Sequence, residues 1–233
     1  MLFRSVTGVV TSFDNITTLF GSALADTLTG DDQASFWNLD VALTYTNAGA
    51  TRTLEFSLIE NLQGSSAVDT FNVLTAQTLN LLGGSGADVF DIDAALSGSV
   101  NGEAGSDTLQ GNLVINAAVT GSAANGYSGT ANGVSAGYLG INVITGGGGT
   151  LTGRNAASTW ALAATTTYSD GGAGGALTFT GFTNLQGGSG VDTFNVTGAG
   201  ASAVNVLSVN VAKVEALMSN VAPFKPPFTV PRT

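Results

Sequence analysis

The sequence predicts an all-β protein, a right-handed parallel β-solenoid (β-helix) with coils of about 19–22 residues, and three observations predict it. The first is a short repeat. Asn61-Leu62-Gln63-Gly64 is answered 19 residues later by Asn80-Leu81-Leu82-Gly83, and 19 later still by Ser99-Val100-Asn101-Gly102. Five residues after each closing glycine stands Asp69, Asp88 or Asp107, and two beyond that Phe71, Phe90 or Leu109. One coil cannot bury its own apolar side, so equivalent positions must stack into columns, Phe71/Phe90/Leu109 in one and Leu62/Leu81/Val100 in another. The second observation is a duplication: residues 30–73 align without a gap on 153–196, at a constant offset of 123, with half the positions identical. Trp37 falls on Trp160, Tyr45 on Tyr168, and Asp69-Thr70-Phe71-Asn72-Val73 on Asp192-Thr193-Phe194-Asn195-Val196. The third is composition. Glycine is abundant (33 residues) and charged residues are only 9%. Small residues for turns and β-branched ones for strands dominate the remainder, which suits strands rather than helices.

These repeats divide the chain into residues 1–20, an entering coil; 21–142, a first module; 143–210, a partial second copy; and 211–233, a cap or last coil with a proline-rich tail. The entering coil alternates apolar and polar residues, then turns at Gly21 and sets Asp26 before Leu28. Residues 31–58 hold Trp37 and Tyr45, a turn at Asn47-Ala48-Gly49, and a strand over 52–58 that alternates Leu54, Phe56 and Leu58. The three strict coils follow. Residues 118–149 are the most degenerate stretch, with weak columns at Val119, Tyr127, Val134, Leu139 and Val143, and read as looser coils or a surface loop. The offset of 123 holds about six coils, and the chain about eleven, which at ~4.8 Å per strand makes a rod on the order of 50 Å long. Past Val196 the glycine turns fail. Residues 204–221 fit either a capping helix or a further coil, the coil being preferred, and the prolines from Pro223 end regular structure.

Composition also bounds chemistry. A net charge of −10 with six Lys plus Arg argues against nucleic-acid binding, which needs a basic face. The absence of cysteine excludes disulfides, thiolate metal sites and thiol catalysis, and the absence of histidine removes the commonest general base. No apolar run has the ~18–20 residues of a membrane span, and no export signal is visible. Asp31-Asp32 is the only pair of adjacent acids, but its duplicate reads Arg154-Asn155, so it fits a solvated turn better than a hydrolase site. Asn61 and Asn80 fit an asparagine ladder. Trp37 and Trp160 fit a buried column or end plug, with a sugar-stacking platform as the alternative. Nothing points to a reaction, so the chain reads as a non-enzyme.

Two resemblances follow from these residues. Gly83-Gly84-Ser85-Gly86-Ala87-Asp88-Val89-Phe90-Asp91 resembles the calcium-binding RTX nonapeptide, and Gly187-Gly188-Ser189-Gly190-Val191-Asp192-Thr193-Phe194-Asn195 does so too. Gly102-Glu103-Ala104-Gly105-Ser106-Asp107-Thr108-Leu109 departs only at the second glycine. That likeness implies calcium as the one candidate cofactor, between Asp88 and Asp107 with Asp91 and Asp93 assisting, and Asp192 as a further ligand without a neighbouring motif. The competing reading is that each aspartate closes its own turn on local backbone N–H groups. In that family the motifs run back to back, whereas here one occurs per 19 residues. The repeats Phe13-Asp14-Asn15-Ile16 and Phe182-Thr183-Asn184-Leu185, with the Asp-Thr-Leu and Asp-Thr-Phe that follow, resemble modules of filamentous-haemagglutinin-type adhesins. This second likeness implies a secreted or cell-surface bacterial protein, a fibrous or adhesive role, and a cell-surface or matrix receptor. Uncapped solenoid ends would allow self-association into fibres. A calcium-responsive module and a carbohydrate-binding β-helix are the alternative functions.

Overall fold

The structure is a computed structural model that describes residues 16–49, 53–197, 205–206 and 211–216. Among these residues every regular element is a strand. The chain begins with β1 (Thr18–Phe20) and β2 (Thr27–Thr29), followed by an antiparallel set, β3 (Ser35–Leu39), β4 (Leu43–Asn47) and β5 (Leu54–Ser57). The strict coils supply β6 (Asn61–Gln63), β7 (Asp69–Val73), β8 (Asn80–Leu82), β9 (Ser85–Gly86), β10 (Val89–Ile92), β11 (Val100–Asn101), β12 (Ala104–Gly105) and β13 (Thr108–Gln110). A second antiparallel set is β14 (Ala117–Ala123), β15 (Gly126–Ala131) and β16 (Val134–Ile141). After β17 (Val143–Thr145) and β18 (Thr150–Thr152) comes a third, β19 (Ser158–Leu162), β20 (Thr166–Ser169) and β21 (Leu177–Thr180). The remainder is β22 (Asn184–Gln186), β23 (Asp192–Val196), β24 (Asn205–Val206) and β25 (Val211–Ala216).

Two long sheets face each other across one core. The first has thirteen strands in the order β1-β5-β4-β3-β7-β10-β13-β17-β21-β20-β19-β23-β25. The second has ten, β2-β6-β8-β11-β16-β15-β14-β18-β22-β24, and β9 pairs with β12 in a two-stranded strip. Successive coils alternate between the sheets, so strands recurring in sequence lie side by side and parallel. The register is the predicted one: Phe71 opposes Phe90, Phe90 opposes Leu109, and Leu62, Leu81 and Val100 form the facing column. All of these are fully buried. Period-2 alternation sends Thr70, Asn72, Val89 and Asp91 outward between them. The Phe71 and Phe90 rings stack at 5.1 Å with their planes nearly parallel. Trp37 stacks on Phe71 at 5.5 Å, and Trp160 on Phe194 at 5.3 Å, so the duplicate reproduces its packing as well as its sequence.

The antiparallel sets change the predicted winding. The strict coils pair at a spacing of 19, but β3 pairs with β7, β2 with β6 and β19 with β23 at 34. The extra 15 or so residues are a strand-turn-strand excursion made within one sheet, so the chain is not a uniform series of eleven parallel coils. Residues 118–149 are neither loose nor a surface loop. They form β14–β16, in which Val119, Tyr127, Val134 and Tyr138 are buried; the turns rest on Gly126 and Gly133 at positive φ, and Gly137, also at positive φ, lies within β16. Leu139 and Leu58 point out of the columns proposed for them and are exposed. Past Val196 the described residues form β24 and β25, the coil of the two alternatives; the helix is absent there. The predicted entering coil before Ile16 and the proline-rich tail lie outside the described residues.

Candidate functional site

The only dense set of buried ionisable groups among the described residues is the line of aspartates at the glycine turns. Asp69, Asp88, Asp107 and Asp192 are all fully buried. Each turn begins with a glycine five residues earlier, and the carboxylate, with the carbonyl of the neighbouring coil at Gly64 and Gly102, explains why. A Cβ added at Gly64, Gly83, Gly102 or Gly187 would meet Oδ2 of Asp69, Asp88, Asp107 or Asp192 under 3.0 Å. The side chain folds back over its own turn and lies on the glycine Cα. The inner glycines of the motif serve backbone shape instead: Gly84, Gly86 and Gly105 have φ of 100°, 139° and 142°. Glu103, which replaces the second glycine in its coil, holds φ 64° and accepts a hydrogen bond from Gln63 Nε2 at 2.9 Å.

The aspartates are coupled along the stack. The Asp69 N–H donates to Asp88 Oδ1 at 2.8 Å, the Asp88 N–H to Asp107 Oδ1 at 2.9 Å, and the Asp107 N–H to Asn142 Oδ1 at 3.0 Å. Asp88 and Asp107 therefore each cap a backbone donor in the preceding coil, a longer reach than the local closure predicted. Asp69 shows the local closure as well, accepting the Ser65 N–H on Oδ2 at 2.6 Å. Ser35 Oγ donates to Asp69 Oδ1, and its duplicate Ser158 Oγ to Asp192 Oδ1. Oδ2 of Asp88, Asp107 and Asp192 is left buried without a hydrogen-bond partner.

Burial raises the cost of ionisation here. Desolvation, with the negative charges of Asp107, Asp69 and Glu103 adding to it, pushes Asp88 up to about 7. Desolvation, with Glu103 beside it, pushes Asp107 up to about 6. The other predicted ligands are placed differently. Asp91 lies on the outward face of β10, accepting from Gln110 Nε2 at 3.0 Å, and Asp192 stands one module away. Among the described residues no group of three or more acidic side chains is gathered as metal ligands are. Calcium takes six to eight oxygens. From Asp88 and Asp107, with Oδ1 of each held by a backbone N–H, Oδ2 alone remains.

The remaining candidates are structural. Asn80 Nδ2 donates to Asn61 Oδ1 at 3.0 Å, forming the predicted ladder. Trp37 and Trp160 are fully buried, so the sugar-platform alternative fails on access. Asp31 accepts from the Tyr45 hydroxyl at 2.9 Å and from Asn47 Nδ2, closing the end of the β3–β4 hairpin. In the duplicate, Arg154 Nη1 contacts Asp170 Oδ2 at 3.0 Å in the same place. Sequence reasoning missed Ser35, Ser158 and Asn142. The serines were visible as an identity between the copies; Asn142 carried no signal, since it lies 35 residues from Asp107 rather than 19.

Together the sheets and the ladder define a β-solenoid braced by antiparallel excursions, with its polar network directed inward. Comparison of the chain with family models, with curated proteins and with solved structures finds no match.

Proposed function

We propose that this chain is a structural segment of a bacterial surface or secreted protein: a right-handed solenoid rod with an adhesive or fibre-forming role rather than an enzyme. The observation that supports it is the use of the polar residues. The buried aspartates and serines and the half-buried asparagines bond one another and the backbone across neighbouring coils, and none converges on an open cleft. Right-handed winding is what strand-to-parallel-strand crossovers overwhelmingly adopt. Light scattering over a range of concentrations tests the fibre-forming role, with a mass that rises with concentration as the expected result. A mass fixed at one chain throughout would reject end-to-end association.

A calcium-responsive module is the second reading. It rests on the nonapeptide pattern and on the unpartnered Oδ2 atoms of Asp88 and Asp107. A site of useful affinity would raise the melting temperature in millimolar calcium, because ligand bound only to the folded state stabilises it. An unchanged melt would remove this reading and leave the rod.

A further inference from the structure

The duplication supplies an internal control: a side chain kept for packing recurs at +123, while one kept for another reason need not. At the β1 end of the first sheet lies a groove of about 540 Å³, bounded by Phe20, Asp40, Val41, Glu55, Phe56 and Leu58. Phe56 is core and recurs as Phe179. The four residues that give the groove its character do not recur: Asp40, Val41, Glu55 and Leu58 become Ala163, Ala164, Thr178 and Gly181. Val41 and Leu58 are 92% and 62% exposed, so neither supports the core. Leu58 moreover holds φ 57°, where the duplicate has Gly181 at 75°. A leucine in the left-handed region is strained, and strain kept at an exposed position marks a surface with a use. The groove thus sets exposed apolar side chains beside two carboxylates, which calls for a partner carrying both apolar side chains and positive charge.

The chain holds such a segment. All four prolines lie between Pro223 and Pro231, with Phe224 and Phe228 among them and Lys225 and Arg232 as the only charges after Glu215. Residues 217–233 carry +2, and the other 216 residues carry −12. A proline-rich stretch of this kind favours an extended conformation that docks in apolar grooves at low entropic cost. β25, which precedes it, stands at the opposite end of the thirteen-stranded sheet from β1. Ten strand spacings, about 48 Å, separate β25 from β4 beside the Asp40–Val41 turn, and eight, about 38 Å, separate it from β7, whereas the nine residues from 216 to Lys225 span about 32 Å fully extended. Phe224 and Lys225 therefore fall short of the groove of their own chain along the sheet but can meet that of a neighbour placed end to end.

We propose that the Asp40–Val41–Glu55–Leu58 groove is the docking site for the basic, proline-rich segment 221–233 of a second copy of this chain, joining copies head to tail. The proposal rests on the end-to-end reading above and names its contact. It is tested on the full chain by light scattering with three perturbations. Leu58→Gly, Asp40→Asn with Glu55→Gln, and Lys225→Ala with Arg232→Ala should each weaken association about tenfold, the charge variants losing their effect at high salt. A synthetic peptide of residues 217–233 should cap the groove and reduce the assembly's mass. Leu58→Gly should keep or raise the melting temperature, since the duplicate accommodates glycine there; weakened association is then not a folding defect. Association untouched by the variants and the peptide, as when residues 1–15 of the same chain fill the groove, would overturn this contact while leaving end-to-end association standing. A chain that stays single at every concentration would overturn both.

Discussion

Asp88 gives one carboxylate oxygen to the backbone of the preceding coil and lays the other on its own turn glycine, and that division has a pH consequence. An exposed aspartate in the unfolded chain titrates near 3.9. With Asp88 raised to about 7 and Asp107 to about 6, the folded state binds more protons than the unfolded state from about pH 4 to 7. Stability is then fully present below the unfolded value and is lost as pH rises through 6 to 7. Asp170 works in the other direction. Its pKa is lowered because hydrogen bonds from the Gly172 N–H, Ser122 and Arg154, with the Arg154 charge, outweigh its desolvation, so its contribution disappears only in stronger acid. The melting temperature should accordingly rise from pH 8 to pH 5, and a flat or falling profile would refute the ladder's electrostatics. Asp88→Asn should remove much of that dependence. Asn142 already accepts the Asp107 N–H through an amide oxygen, so the ladder tolerates an amide at such a position.

At the scale of elements, the strict coils were legible and the antiparallel excursions were not, for one physical reason. A column of identical stacked side chains leaves a fixed sequence period, and Phe71, Phe90 and Leu109 carry it. A hairpin made within one sheet lengthens the interval to 34 and keeps the same alternation, so β3–β5 read as parts of further coils. In β14–β16 even the apolar signal is thin, because glycine and alanine line much of the strands and Tyr127 and Tyr138 do the filling. The aspartate turns were legible as a pattern. Their use was left between two readings, because the pattern alone does not say whether a carboxylate faces a cation or a backbone N–H; the structure shows Asp88 and Asp107 each accepting a backbone N–H. The hairpin ends show how the copies diverged under constraint: Asp31 with Asn47 became Arg154 with Asp170, each a bonded pair. Arg154→Asp alone leaves the buried Asp170 carboxylate facing a like charge and should cost about 2 kcal/mol. Adding Asp170→Asn recreates the first copy's pair and should recover most of that loss in a double-mutant cycle; additive losses would show that the two positions do not communicate.

For the molecule as a whole, the excursions decide how it comes apart. A plain solenoid contacts only its neighbouring coils and can unzip from either end. Here β3–β5 ties β1 to β7, β14–β16 ties β11 to β18, and β19–β21 ties β17 to β23, each running against the order of the sequence. Freeing β1 exposes β5, and with it the hairpin that leads to Trp37 in β3, the fourth strand of the first sheet. The strict coils, locked by stacked rings and the aspartate ladder, bridge the first two braces. Fraying at one end therefore destabilises strands several places inward, and unfolding should be a single cooperative transition rather than a sequence of steps. The two tryptophans allow this to be measured, since Trp37 sits in the first brace and Trp160 in the last, and the chain has no others. Trp160→Phe leaves a reporter near one end and Trp37→Phe a reporter near the other. In each variant, fluorescence and far-ultraviolet dichroism should give the same midpoint, as two-state behaviour demands. If the two probes part within one variant, the braces do not transmit and the molecule unfolds in sections.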